Sequence, residues 1–221
     1  MGLALPVSAV QGLRLKRQAT RLPGASGPRE GRCGEGDALH LLAIGDSIID
    51  GVGAYQTKHS LPVCYARALA CETQSTVHWR IEGLSGWAID DLNRHLEFLI
   101  LDTSPEWMLV SIGVNDVTGL SSKNHWRREL QRFLGNSMDR WPQTRIVFCG
   151  LPPMQHFPLL PQPLRATLAH RAAVLDQIAI EEIAKWPRVQ HVKTHIDPST
   201  HDFCEDGFHP SAESCNLWAA E

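Results

Sequence analysis

Long apolar runs are missing from this chain. The longest, such as Trp107 to Val110 with Ile112, fall far short of the roughly 20 residues that cross a bilayer, which excludes a transmembrane span. Cysteine is sparse, six in 221 residues with no CxxC pair and no zinc-finger spacing, so neither a disulfide scaffold nor a structural zinc module is encoded. There is no excess of positive charge. The net charge of -3 excludes the global basic field of a nucleic-acid binder. The first glycine cluster after a predicted strand, Gly51-Val52-Gly53, lies too far downstream for a phosphate cradle and lacks the motif's third glycine. What remains is ordinary globular material, 43% hydrophobic and 20% charged, of a length that suits one domain.

The first 37 residues differ in character from the rest. A short apolar stretch, Leu3 to Val10, precedes a basic stretch (Arg14, Lys16, Arg17, Arg21), and glycines and prolines follow from Pro23 to Gly36. A secretory signal has the opposite order of charge and apolar core. Residues 1–37 are therefore expected to form an N-terminal arm, with association to a membrane surface as the alternative use of its basic flank. Residues 38–221 are expected to form the domain, in a cytoplasmic setting where the cysteines stay reduced. Cys204 and Cys215 are the pair that an oxidising compartment would join.

From Ala38 onward short apolar runs alternate with helical periodicity. Leu39–Ile44, Thr76–Ile81, Trp107–Ile112, Arg145–Cys149 and Val189–Val192 read as strands. Leu61–Cys71, Ala88–Leu101, Ser121–Trp141, Leu164–Trp186 and Pro210–Glu221 read as helices, with Pro210 at the first position of the last one. Alternation of this kind predicts an α/β fold, a three-layer α/β/α sandwich around a five-stranded parallel sheet in the flavodoxin-like order 2-1-3-4-5. Ligands of such sheets bind beyond the carboxyl ends of the strands.

Those ends carry chemistry. The first strand runs into Gly45-Asp46-Ser47, the second into Glu82-Gly83-Leu84-Ser85-Gly86-Trp87, and the third into Gly113-Val114-Asn115-Asp116. Ser47 falls where a helix N-terminus favours developing negative charge. The Ser47 N–H, the Gly86 N–H and the Asn115 side-chain amide together supply the donors of an oxyanion hole. Near the C-terminus, Asp206-Gly207-Phe208-His209-Pro210 sets a carboxylate three residues before an imidazole, close enough to fix its tautomer. Each short pattern arises readily by chance, but their joint occurrence in this order has a chance on the order of one in ten thousand.

In these blocks the sequence resembles the SGNH (GDSL) hydrolases over about residues 38–221, with the softer features of the arm resembling a bacterial esterase subgroup. The serine block is Gly45-Asp46-Ser47, the glycine block contains Gly86, the third block is Gly113 to Asp116, and the last is Asp206 to Pro210. Gly83 also lies in the glycine block. Gly86 is preferred because Trp87, Ala88 and Ile89 lead straight into a helix. The resemblance implies Ser47 as nucleophile, His209 as general base, Asp206 as its orienting carboxylate, and Ser47, Gly86 and Asn115 as oxyanion donors, with no metal and no cofactor. It implies a serine esterase acting on small-molecule carboxylic esters of short to medium chain; lysophospholipids, thioesters and acetylated sugars are the alternatives. Asp46 and Asp116 are expected to bond loop backbone. Trp87 and the apolar proline-rich loop bearing Met154 and Phe157 are candidate substrate walls. The rival readings are a metal-dependent hydrolase built on His191, His195, Asp197, His201, Asp202, Cys204 and His209, and a non-catalytic binding domain on the same fold.

Overall fold

The computed structural model describes residues 7, 8, 10–12, 14, 22–194, 196 and 202–220. Its strands are β1 (Glu30–Cys33), β2 (Ala38–Gly45), β3 (Thr76–Gly83), β4 (Trp107–Ser111), β5 (Arg145–Cys149) and β6 (Val189–Val192). They form one sheet in the order β1-β3-β2-β4-β5-β6. The five strands from β2 onward pair in parallel and follow the order expected from sequence. The fold is thus the α/β sandwich predicted, with one correction. The sheet has a sixth strand, β1, which pairs antiparallel with β3 and comes from the segment read as an arm. β1 escaped notice because it is short, glycine-containing and half polar. It fits because Gly31 crosses the Trp79 indole, which a Cβ there would approach to 2.5 Å.

Helices cover both faces. They are α1 (Ser47–Asp50), α2 (Leu61–Thr73), α3 (Ile89–Phe98), α4 (Val114–Thr118), α5 (Lys123–Arg140), α6 (Leu164–Ile183) and α7 (Ala212–Trp218). Strand alternation divides the core in two. Leu42, Ile44, Met108, Val110, Ile146 and Phe148 face the side covered by α3, α5 and α6, while Leu41, Ala43, Val77, Trp79, Ile81 and Leu109 face α2 and α7. On α5 the buried Trp126, Leu130, Phe133 and Leu134 recur at the helical period and make one apolar stripe. No described helix is long and apolar enough to cross a membrane.

The closing helix also differs from expectation. It begins at Ala212, not Pro210, because the Ser211 hydroxyl caps it by accepting from Ser214 N–H. Pro210 instead forms an antiparallel bridge with Phe203, and Ser211 N–H and Cys204 N–H bond back to Asp202 and His209 carbonyls at 2.8 and 2.9 Å. His209 therefore sits in a short hairpin and not at a helix start.

If β1 is integral to the fold, Gly31→Ala must move the Trp79 ring or the strand. We expect a loss of about 1–3 kcal/mol in urea unfolding, and an unchanged midpoint would show that β1 merely lies against the sheet.

Candidate active site

Parallel pairing sets the ends of β3, β2 and β4 level: Gly45 lies opposite Gly83 on one side and Ser111 on the other. The ladder then continues into the loops, through Leu84 N–H to Gly45 O (3.2 Å) and Asp46 N–H to Ser111 O (2.9 Å). Ser47 opens α1 just beyond, with the Asp46 carboxylate as N-cap accepting from Ile48 N–H and Gly51 ending the helix in the left-handed region at φ 79.

His209 closes on this serine from the far end of the chain. Its Nε2 is 3.0 Å from Ser47 Oγ, and its Nδ1 is 2.6 Å from Asp206 Oδ2. An ionised carboxylate only accepts, so Nδ1 carries the proton and the Nε2 lone pair faces the hydroxyl. The second oxygen of Asp206 accepts from Phe208 N–H (2.8 Å), His209 N–H (2.9 Å) and the Cys204 thiol (3.1 Å). Burial opposes the charge on Asp206, but the bonds from the His209 ring and backbone, the Cys204 thiol and Phe208 N–H outweigh it and hold its pKa well below the ordinary carboxylate range. Asp206 thus stays ionised wherever the protein is folded at ordinary pH.

Gly83 and Gly86 differ in their surroundings. A Cβ on Gly83 would lie 2.7 Å from Asp50 N and 2.8 Å from the Ile49 side chain, so Gly83 is a packing glycine inside β3. Along the loop, Leu84 N–H and Trp87 N–H bond to Gly45 and Leu84 carbonyls. Ser85, Ala88 and Ile89 N–H reach the carboxylates of Asp50, Asp91 and Asp116. Gly86 N–H, between them, has no acceptor among the described residues. Gly86 is left-handed at φ +95, with nothing within 4 Å of where a Cβ would stand. Asn115, on α4, donates one Nδ2 hydrogen to Trp87 O at 2.8 Å and keeps the other.

Asp116 is fully buried and accepts from Ile89 N–H at 3.0 Å and the Ser121 hydroxyl at 2.8 Å. Its pKa is nonetheless raised, first by burial, against those two bonds. Asp46 is also buried, and its Oδ2 has no partner among the described residues. Burial pushes its carboxyl up to about 7, against the pull of Ile48 N–H and His209 and with a further push from Asp116.

Beside Ser47 and His209 lies a cavity of about 20 Å³, lined by Val114, Pro152, Phe157, Phe203, Phe208 and Trp218 among others. Phe157 meets Phe203 and Phe208 edge-on at 5.0 and 5.1 Å. Of the expected wall residues, Phe157 is therefore at the cavity. Met154 is not: it is fully buried in the core under α6, because the single turn of 3₁₀ helix at Met154–His156 turns it inward. Trp87 packs its ring on His95 at 4.7 Å and is held through its carbonyl. Phe203 and Trp218 carried no sequence signal, since they reach the cavity only when the hairpin and α7 fold over the sheet.

Of the residues proposed for a metal site, the described ones have other hydrogen-bond partners. His191 Nε2 bonds Asp176 at 2.8 Å, Cys204 and His209 serve Asp206, and His195, Asp197 and His201 lie outside the described residues. Cys204 and Cys215 carry free thiols.

Ser47, His209 and Asp206 are thus joined by hydrogen bonds at the carboxyl ends of a parallel sheet. The chain belongs to the GDSL-like lipase/acylhydrolase family, whose model matches residues 43–214, and it is an ester hydrolase. The fold is similar to that of a lipase from a goat rumen metagenome (TM-score 0.70, 14% identity, covering 82% of this chain and 94% of that one). It is similar too to a family 3 carbohydrate esterase from Clostridium thermocellum (0.62, 18%, 83% and 92%) and an acetylxylan esterase from Geobacillus stearothermophilus (0.57, 21%, 85% and 92%). At these identities the likeness is one of fold. Comparison with curated proteins finds no match.

Asp46 supplies a pH test. The folded chain holds this proton to about pH 7, whereas an unfolded aspartate releases it near ~3.9. The folded state therefore binds the extra proton, and stability falls as pH rises through that window. Urea unfolding at pH 5 and pH 8 should show the wild type losing stability relative to Asp46→Asn. Equal losses in both proteins would refute the raised pKa.

Proposed function

We propose that the chain is a serine esterase that cleaves short-acyl carboxylic esters through an acyl-enzyme on Ser47. The observation that carries this reading is the unbroken relay from Ser47 Oγ to His209 Nε2 (3.0 Å) and from His209 Nδ1 to Asp206 Oδ2 (2.6 Å). Ser47 Oγ attacks the ester carbonyl carbon as its proton passes to Nε2, and Asp206 stabilises the imidazolium that results. The carbonyl oxygen takes the negative charge and is met by the Ser47 N–H, which as the first of a helix has no intrahelical acceptor, by Gly86 N–H and by the free Asn115 Nδ2 hydrogen. Collapse of this intermediate breaks the bond to the alcohol, which leaves with the Nε2 proton. Water then attacks the acyl-enzyme, giving its proton to Nε2, and the acid departs as Ser47 regains its hydrogen.

The acyl group is set by the cavity. It is small, about 20 Å³, and the Phe157–Phe203–Phe208 cluster that walls it suits a short acyl group better than a long one. This favours small acyl esters, including acetylated sugars, over lysophospholipids.

On p-nitrophenyl esters, acetate should be turned over best and palmitate hardly at all. Ser47→Ala should lower kcat by roughly 10⁴ or more, and Asn115→Ala by about 10²–10³. Phe157→Ala should move the optimum to longer chains. An unaltered chain-length profile in that variant would remove the aromatic wall from the mechanism, and full activity in Ser47→Ala would remove the serine.

A further inference from the structure

The N–H donor at Gly86 is useful only if its loop holds a fixed distance from Ser47, and the residues that fix it include one from the segment that precedes the family blocks. Arg29, just before β1, places Nη1 2.8 Å from Asp50 Oδ1 and Nη2 2.7 Å from the Gly83 carbonyl. Asp50 is the last residue of α1, the helix that Ser47 opens. Its other oxygen accepts Ser85 N–H at 3.3 Å. One guanidinium and one carboxylate therefore tie three things together: the serine helix, the end of β3, and the loop residue next to Gly86. The chain itself is fitted to this knot. Ala25 N–H bonds Asp50 O at 2.9 Å, Ile81 N–H bonds Arg29 O at 2.8 Å, and a Cβ on Gly24 would strike the Asp50 carboxylate at 2.5 Å.

We propose that Arg29 and Asp50 are positioning residues for the oxyanion hole, holding the Gly86 loop in register with Ser47. The proposal rests on the serine-esterase reading above. The Arg29 side chain is 39% exposed, and an ion pair that open to water adds little to stability. Its fork geometry is what matters: a guanidinium meets a carboxylate and a carbonyl at once, while an ammonium acts as a point charge. The N-terminal side of the loop is held to β2 through Leu84 N–H and to α1 through the Asp50–Ser85 bond, and the fork is what orients that carboxylate, so losing it loosens Gly86 at the point where the oxyanion develops. Since the charge on that oxygen appears only in the transition state, the loss falls on kcat and leaves ground-state ester binding alone.

The test compares wild type, Arg29→Ala, Arg29→Lys and Ser47→Ala on p-nitrophenyl acetate, with methylboronic acid as a probe whose boron bonds to the serine oxygen and mimics the tetrahedral oxyanion. Arg29→Ala should lower kcat about ten- to hundredfold with KM nearly unchanged, and weaken the boronate by a similar factor. Millimolar guanidinium should restore part of the loss in Arg29→Ala and none in the wild type, and Arg29→Lys should fall between. An Arg29→Ala protein that keeps wild-type kcat and boronate affinity overturns the proposal, as does a fall in kcat with boronate affinity intact. Thermal melting shows whether Arg29→Ala is folded, and if it is not, Arg29→Lys carries the same two readouts. Activity that survives in Ser47→Ala takes down the serine reading and this proposal together. A dead Ser47→Ala beside an unaffected Arg29→Ala overturns this proposal alone.

Discussion

The site depends on the register of three central strands. Because β2 is paired in parallel with β3 and with β4, its last residue, Gly45, stands level with Gly83 and Ser111, and all three chains leave the sheet in the same direction. Parallel strands need long crossovers, so residues far apart in sequence arrive side by side at one edge. The backbone bonds from Asp46 to Ser111 and from Leu84 to Gly45 extend this alignment one residue into each loop. Ser47, Gly86 and Asn115 then follow short, tightly bonded turns, and their relative placement comes from the rigid part of the molecule. A slip in the pairing of either neighbour would move a donor away from the serine and turn core side chains to the wrong face.

Three aspartates around this edge show how one residue type is given different proton affinities by its neighbours. Asp206 collects donors on both oxygens, including the imidazole, and its acidity increases despite burial. Asp116 has two donors, which are too few to offset complete burial, and its pKa rises. Asp46 has one donor and an oxygen with no partner among the described residues, and its carboxyl is pushed up to about 7. Burial is the first influence on all three and is deepest at Asp46 and Asp116, and the number of hydrogen bonds reaching each group acts against it. Asp206, the carboxylate bonded to the His209 ring, is thus the one of the three whose charge is held most firmly. Asp46 and Asp116 bond loop and helix-end backbone, as their sequence context indicates.

Much of this was legible in the sequence, and the reasons differ by element. The buried strands announce themselves because β2 and β4 are apolar on both faces, and α3 and α5 because their stripes keep the helical period. The serine, glycine, asparagine and histidine blocks were legible because their chemistry restricts residue type. Gly86 and Gly83 could not be separated by composition; what distinguishes them is that a Cβ on Gly83 would strike Asp50 and Ile49, whereas Gly86 stands in open space at a positive φ with an N–H that has no acceptor among the described residues. β1 was hidden because an edge strand of four residues with a glycine has almost no periodic signal. Met154 was misread because apolarity in a loop says that a side chain is covered without saying by what. Ser211 displaced Pro210 as the start of α7 because a hydroxyl that satisfies a free N–H outweighs a favourable φ.

A division of labour follows from where each part is anchored. Ser47, Gly86 and Asn115 come from the ends of the central strands, and His209 from a hairpin clamped by four hydrogen bonds to Asp206. The cavity walls come from the loop after β5, the hairpin after β6 and α7, which fold over the sheet. Edge-on aromatic contacts such as those of Phe157 with Phe203 and Phe208 are contributions of about 0.5–1.5 kcal/mol each, small enough for single substitutions to reshape the pocket. The strand ends are thus held by backbone and ionic bonds, and the cavity by aromatic packing. The segment holding Arg29 belongs with the first set. It contributes an edge strand to the sheet and an ionic tie between the serine helix and the end of β3.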